Sequence, residues 1–173
     1  VDDASQVSAV LSTTNERVNL VNGENTVKFI PGVESPIMIA HSTYGKVLYQ
    51  VSVDDVIQEA QGQQYRLNVV DGSKVDIKAN FPEGLAYRVQ FSYVNEGTED
   101  AVSSVTVDGA PIEAEKYNDP DFTVPAGKQV SITFNTQDYQ INSFKVNSVN
   151  TSTYGSYQFI PTAETLLEID ATK

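Results

Sequence analysis

Two runs of this chain, Phe29–Val56 and Phe122–Val149, lie on each other without a gap when the sequence is displaced by 93 positions. The first reads FIPGVESPIMIAHSTYGKVLYQVSVDDV and the second FTVPAGKQVSITFNTQDYQINSFKVNSV. Phe29 meets Phe122, Ile37 meets Val130, Ile39 meets Ile132, Val51 meets Phe144 and Val53 meets Val146. The kept positions are apolar and alternate, which is the period of a strand with one buried face. A slip of one residue would turn every such side chain to the wrong face, so reuse of the spacing describes a reused sheet. Polar positions are free to differ, as His41 against Phe134 and Lys46 against Tyr139 show. The stretch reads as a structural unit used twice.

The rest of the chain has the same character. Gln6–Leu11 and Arg17–Val21 read as short strands, followed by a tight turn at Asn22-Gly23 and a returning strand at Thr26–Phe29. Pro36–His41 and Lys46–Val53 continue the pattern. Val56–Gln64 is too rich in Gln and too interrupted by Gly62 to bury a helical face, and reads as an edge strand or a single turn. Tyr65–Val70 and Lys74–Ala79 read as a hairpin around Asp71-Gly72, and Phe81-Pro82-Glu83-Gly84 is the natural seam. Beyond it Tyr87–Tyr93 alternates cleanly, and Val102–Val107 runs to Asp108-Gly109, the expected counterpart of Asn22-Gly23. Extra residues fall in Glu113–Asp121. Parity slips between Ile141 and Phe144, which predicts a β-bulge near Asn142-Ser143. Tyr157–Ile160 and Leu166–Ala171 repeat the last pair of the first half. Short strands with frequent turn signals predict an all-β protein: two tandem antiparallel Ig-like β-sandwich modules related by internal duplication, over 1–81 and 82–173.

Composition bounds the function. The net charge of −12 repels phosphate backbones and anionic membrane surfaces, which argues against a nucleic-acid partner. With no cysteine there is no disulfide, thiolate metal site or thiol nucleophile. No apolar run approaches the ~18–20 residues that span a bilayer. No charged-then-apolar leader opens the chain, as expected of a cytosolic, mature or trimmed form.

A shorter phrase recurs inside each half: alternating apolar residues, then Asn or Asp followed by Gly, Ser or Asp, then an aromatic strand, a Gly and a further alternating strand. It occurs at Asn19–Gly23, Gln50–Asp55, Ser104–Gly109 and Ser143–Ser148. Ala126-Gly127-Lys128-Gln129-Val130-Ser131-Ile132, followed by Tyr139-Gln140-Ile141-Asn142-Ser143-Phe144-Lys145-Val146-Asn147, resembles the repeats of bacterial surface and cell-adhesion proteins, in particular divergent internalin-type B-repeats. The resemblance covers Phe122–Ala171 best. Phe144 stands where many such repeats have Trp, and Ser148 where Gly is usual. It implies an exported, surface-tethered module, outer-membrane-anchored as a lipoprotein, whose partner is a host or bacterial surface protein or a glycan.

Chemistry-bearing residues are sparse. His41 is the only histidine, so no multi-His metal site can form, and its strand-end position reads as packing or surface. No nucleophile elbow, zinc-protease, Walker or dinucleotide motif occurs. Asp54-Asp55 and Asn118-Asp119-Pro120-Asp121 offer hard oxygen ligands, but without EF-hand spacing they read as turns. Most aromatic residues sit at inward parity, while Tyr44, Tyr117 and Tyr154 fall in loops and are candidates for a ligand contact. No catalytic, cofactor-binding or metal residue is assigned, and no cofactor is expected. The leading expectation is a non-enzymatic adhesion or envelope-assembly module, binding through loops or through a sheet edge open to strand addition. The alternatives are a carbohydrate-binding module of a surface glycan-utilisation system and, last, a glycoside hydrolase. Where the copies disagree, at Val56–Gln64, Glu96–Asp100 and Glu113–Asp121, a local function is to be sought.

Overall fold

Alternation of apolar residues produces short strands along the whole chain, and the computed structural model describes all of it, Val1–Lys173. The chain divides into two units, Val1–Glu83 and Gly84–Lys173. The first holds β1 (Val7–Leu11), β2 (Arg17–Val18), β3 (Ile37–His41), β4 (Gln50–Val53), β5 (Val56–Ile57), β6 (Gln64–Leu67) and β7 (Val75–Lys78). The second holds β8 (Ala86–Tyr93), β9 (Val102–Val107), β10 (Ala110–Ile112), a one-turn helix α1 (Ala114–Tyr117), β11 (Thr123–Pro125), β12 (Val130–Phe134), β13 (Gln140–Val146), β14 (Val149–Asn150), β15 (Ser156–Phe159) and β16 (Thr165–Thr172). The fold is an all-β sandwich.

Unit 1 has sheets ordered β2-β1-β3-β6 and β5-β4-β7; unit 2 has β10-β9-β12-β15 and β11-β8-β16-β13-β14. Seven strands of each unit therefore follow one order. Their registers agree too: Ile39 faces Tyr65 as Ile132 faces Tyr157, and Val51 faces Ile77 as Phe144 faces Ile169. Unit 2 adds two strands to its second sheet. β8 lies parallel to β16, with Phe91 opposite Leu167 and Tyr93 opposite Ile169. β11 pairs antiparallel with the far side of β8. All other pairings are antiparallel.

Three two-residue turns share one chemistry. Asp54-Asp55, Asp108-Gly109 and Asn147-Ser148 all have both residues at positive φ, and each joins directly paired strands, as Val107 paired with Ala110 shows. This is the hairpin geometry that matches strand twist, and Asp, Asn and Gly are the residues that tolerate it. The first residue of each turn is clamped to a neighbouring strand. Its amide donates to the carbonyl of Lys74, Gln129 or Leu166, at 2.8 Å in each case. Its side-chain Oδ1 accepts the amide of that same residue at 2.8, 2.9 and 2.8 Å.

The core of unit 2 gathers Val89, Phe91, Val124, Ile132, Phe144, Leu167 and Ile169 among its buried members. Phe134, Phe144 and Tyr157 meet edge-on within it at 5.0–5.3 Å between centroids. Edge-to-face contact suits the charge distribution of aromatic rings. Unit 1 has a smaller core around Ile39, Val51, Leu67 and Ile77, and leaves Val18, Leu20, Val27, Phe29 and Val75 only partly buried. The ladder between β13 and β16 shifts register between Ile141 and Ser143, so the parity slip in the sequence is accommodated by skipping Asn142.

Three expectations need correction. Tyr65–Val70 and Lys74–Ala79 are not a hairpin: β6 pairs with β3 and β7 with β4, in opposite sheets. Strands that face each other across a core carry the same alternation as paired neighbours, so periodicity cannot separate the two arrangements. Asn22-Gly23 is not the hairpin turn either. The β1–β2 turn lies at Ser12–Glu16, closed by the Leu11 amide on the Glu16 carbonyl at 2.9 Å. Gly23 instead bonds Val1, amide to carbonyl at 2.8 Å, and the Val1 ammonium donates back to the Gly23 carbonyl at 3.0 Å. Finally, Thr26–Phe29 forms no strand, although Val27 and Phe29 are half-buried and Thr26, Lys28 and Ile30 exposed. In unit 2, Phe122–Pro125 gains its ladder from β8. Within residues 1–83 no strand pairs with the outer side of β7.

Candidate functional site

Unit 1 has a cleft of about 620 Å³ beside β7, lined by side chains including Leu20, Val27, Phe29, Ile39, Leu67 and Ile77. β7 is an edge strand there. The Ile77 carbonyl points into the open side, where it accepts the Asp2 amide at 3.2 Å. With a period of two, the polar backbone groups of Val75 point the same way. The Asp2 carboxylate accepts the amides of Ala79 at 2.7 Å, Asn80 at 3.2 Å and Asp3 at 2.8 Å. Partial burial opposes ionisation of Asp2, but these three donors outweigh it and hold the carboxyl below its ordinary value. Asp3 is lowered as well, chiefly by bonds from Ser5 and Gln6. The cleft thus combines apolar side chains with a polar rim of Glu24, Asn25, Ser73, Lys74 and Asp76, and has the β7 edge along one wall.

Residues singled out in the sequence fall into three groups. Asp54 serves the hairpin clamp, and Asp119 Oδ1 accepts the Asp121 amide at 2.8 Å in a local turn. Nowhere do three or more His, Cys, Asp or Glu side chains converge as a metal-binding group. Asn118 Oδ1 accepts the hydroxyl of Tyr93 at 2.9 Å. Burial, with repulsion from Tyr117 and Glu99, raises the Tyr93 phenol above its usual range. Tyr117 is not a loop contact but a core residue, 4% exposed, with its ring 5.2 Å from Phe91. The insertion at Glu113–Asp121 therefore serves to bring an aromatic plug into the sandwich.

His41 Nδ1 accepts the Thr43 amide at 2.9 Å and Nε2 lies 3.3 Å from Gln6 Oε1, which fixes the ring at the end of β3. Glu96–Asp100 leads into a short turn with Thr98 buried and its hydroxyl on the Asn95 carbonyl at 2.7 Å. Val56–Gln64 supplies the edge strand β5, whose Val56 and Ile57 are both 64% exposed. Tyr44 and Tyr154 are the two aromatic side chains that project fully into solvent, 98% and 97% exposed. Each unit has one, so neither unit carries a row of exposed rings. Tyr154 borders a shallow polar depression with Gln137, Asp138 and Tyr139.

Sequence reasoning missed the cleft because its signal is an absence: an alternating segment, Thr26–Phe29, with no strand left for it to pair with. No helix is long and apolar enough to cross a membrane. Comparison with protein-family profiles, curated proteins and solved structures finds no match to this chain.

Proposed function

We propose that this chain is a non-enzymatic binding protein of a bacterial surface, a tandem of two duplicated Ig-like sandwich units that acts in adhesion or envelope assembly. The observation that carries this reading is the repeated β-unit: seven strands of each unit share one order and one set of registers. Equal strand order and register in the two units support the duplication, with offsets of 93 for β3 onto β12 and 92 for β6 onto β15. The strong negative charge favours a soluble, exposed module and disfavours nucleic acid.

Two measurements test the reading. Antibody labelling of intact source cells should reach the protein, and beads coated with residues 1–173 should adhere to host or bacterial cells more than albumin-coated beads do. Labelling only after lysis, together with no excess adhesion, would sink it. A second reading, a carbohydrate-binding module, draws on the exposed rings of Tyr44 and Tyr154. It predicts saturable signals on a glycan array that fall on substitution of either tyrosine, and a flat array removes it.

A further inference from the structure

In each unit the one fully exposed ring stands at the same end of the first sheet. β3 ends at His41 beside the start of β6 at Gln64, and β12 ends at Phe134 beside the start of β15 at Ser156. Tyr44 lies three residues past the end of β3, and Tyr154 two residues before β15. The matching positions are Gln137 in unit 2 and Gly62 in unit 1. The ring thus sits on different loops in the two units yet at the same end of the sheet. At 98% and 97% exposure neither ring contributes to a core.

A second observation concerns the surface beside the ring. In unit 2 this end is hollowed into the depression that Tyr154 borders, of about 670 Å³. Its first loop is held by Asn135. The Asn135 side chain donates to Asp138 Oδ2 at 3.1 Å and accepts the Asp138 amide at 3.3 Å, and the Asn135 carbonyl accepts the Tyr139 amide at 3.1 Å. On the other loop the Thr153 hydroxyl donates to the Ser156 carbonyl at 3.2 Å, and the Gly155 carbonyl accepts the Phe134 amide at 2.8 Å. These bonds fix the backbone of both loops, while Gln137, Asp138 and Gln140 remain exposed beside the ring. Two amide side chains supply donors and acceptors there, and Asp138 supplies acceptors. Asp138 is the only charged residue of the lining.

We propose that the Tyr154 depression of unit 2 binds one neutral sugar residue of a glycan. A tyrosine ring is an apolar face with a polar tip, which suits the C–H face of a pyranose. The hydroxyls around a pyranose rim both donate and accept, as amide side chains and a carboxylate require of a partner. One exposed ring seats one sugar, so a single residue is read rather than a long stretch of chain. Charge sharpens the choice. Asp138, in a chain of net charge −12, disfavours sugars that carry a carboxylate. The inference rests on the reading of the chain as a binding protein, which the adhesion and carbohydrate-binding accounts share, and gives it a ligand class and a seat.

The test titrates the full chain with the methyl glycosides of galactose, glucose, mannose and N-acetylglucosamine while backbone amide shifts are followed. In parallel the chain is screened on an array of neutral glycans and their sialylated forms. At least one glycoside should give saturable shifts confined to residues 136–141 and 153–155. Tyr154→Ala should weaken binding roughly tenfold, whereas Tyr154→Phe, which keeps the ring, should stay within about twofold of the parent. Because the ring is exposed, neither substitution disturbs the packing of unit 2. Sialylated glycans should bind more weakly than their neutral parents. Shifts that map outside the two loops, binding unchanged by Tyr154→Ala, or a preference for sialylated forms would overturn the proposal. Array binding that falls with Tyr44→Ala but survives Tyr154→Ala overturns this seat and leaves the carbohydrate-binding account standing, whereas a flat array removes both. Sugar binding without bead adhesion contradicts the surface role alone, and bead adhesion without sugar binding contradicts the sugar seat alone.

Discussion

The amide of Asp108 donates to the carbonyl of Gln129 at 2.8 Å, and the amide of Gln129 returns a bond to Asp108 Oδ1 at 2.9 Å. Asp54 with Lys74 and Asn147 with Leu166 make the same pair of bonds. At three of its four occurrences the Asn/Asp of the sequence phrase is thus a clamp between a hairpin turn and the strand beside it, whereas Asn22 Oδ1 accepts the Ala4 amide at 2.7 Å.

Asp108→Ala removes the acceptor and places Ala at a φ of 48°, a left-handed conformation that costs ~1–2 kcal/mol for most residues. With the lost hydrogen bond, unit 2 should lose about 2 kcal/mol in denaturant unfolding. Asp108→Asn should stay within about 0.5 kcal/mol of the parent, because Asn147 does the same work in a sibling turn. The Lys128–Asp108 ion pair at 3.0 Å is exposed and adds little.

The units should unfold separately, with unit 1 first. Its core keeps several apolar side chains half-exposed where unit 2 buries their counterparts. Leu67→Ala, in a fully buried position of unit 1, should lower the first calorimetric transition by ~2–5 kcal/mol, and Leu167→Ala the second by a similar amount. One transition shifted equally by both substitutions would contradict separate units.

Stability should fall on the alkaline side. Burial raises the phenols of Tyr93, Tyr117, Tyr65 and Tyr157, so each is neutral in the folded chain where the unfolded chain begins to ionise. Their contribution is complete below the unfolded value of ~10 and is lost as pH climbs towards the folded values. Denaturant midpoints should drop above that pH, with tyrosinate absorbance appearing together with unfolding. Tyr93→Phe should flatten the slope for unit 2.

On the acid side the sign reverses. The Asp2 carboxyl is held low by the amides of Ala79, Asn80 and Asp3, so its contribution is complete above the unfolded value of ~3.9 and disappears as pH falls through the folded one. Asp2→Asn should weaken unit 1 near neutrality and make its transition less sensitive to acid, as read from its midpoint at pH 3 and pH 7.

Much of this fold is legible in the residues. The reused apolar spacing of Phe29–Val56 carries the strands and the offset between units, and the parity slip at Ile141–Phe144 carries the register shift. What alternation does not encode is the partner of a strand. Tyr65–Leu67 and Val75–Ile77 present the same face to one core from opposite sheets, and a turn signal at Asp71-Gly72 serves a crossing as well as a hairpin. The loop residue Tyr117 misled for a related reason, since a one-turn helix can fold a loop ring inward without any periodic sign. The cleft was the least legible feature, because Thr26–Phe29 has the sequence of a strand and lacks only a neighbour.

Amide hydrogen exchange along β7 and β16 tests most directly whether β7 is an edge strand in residues 1–173 while β16 is a central one. Asp76 faces Ser52 of β4 and supplies an internal reference within β7. Val75 and Ile77, directed to the open side, should exchange orders of magnitude faster than Asp76, whereas Leu167, Glu168 and Ile169 of β16 should all be slow. Val75 and Ile77 as protected as Asp76 would mean that the β7 edge is covered, and the account would fail.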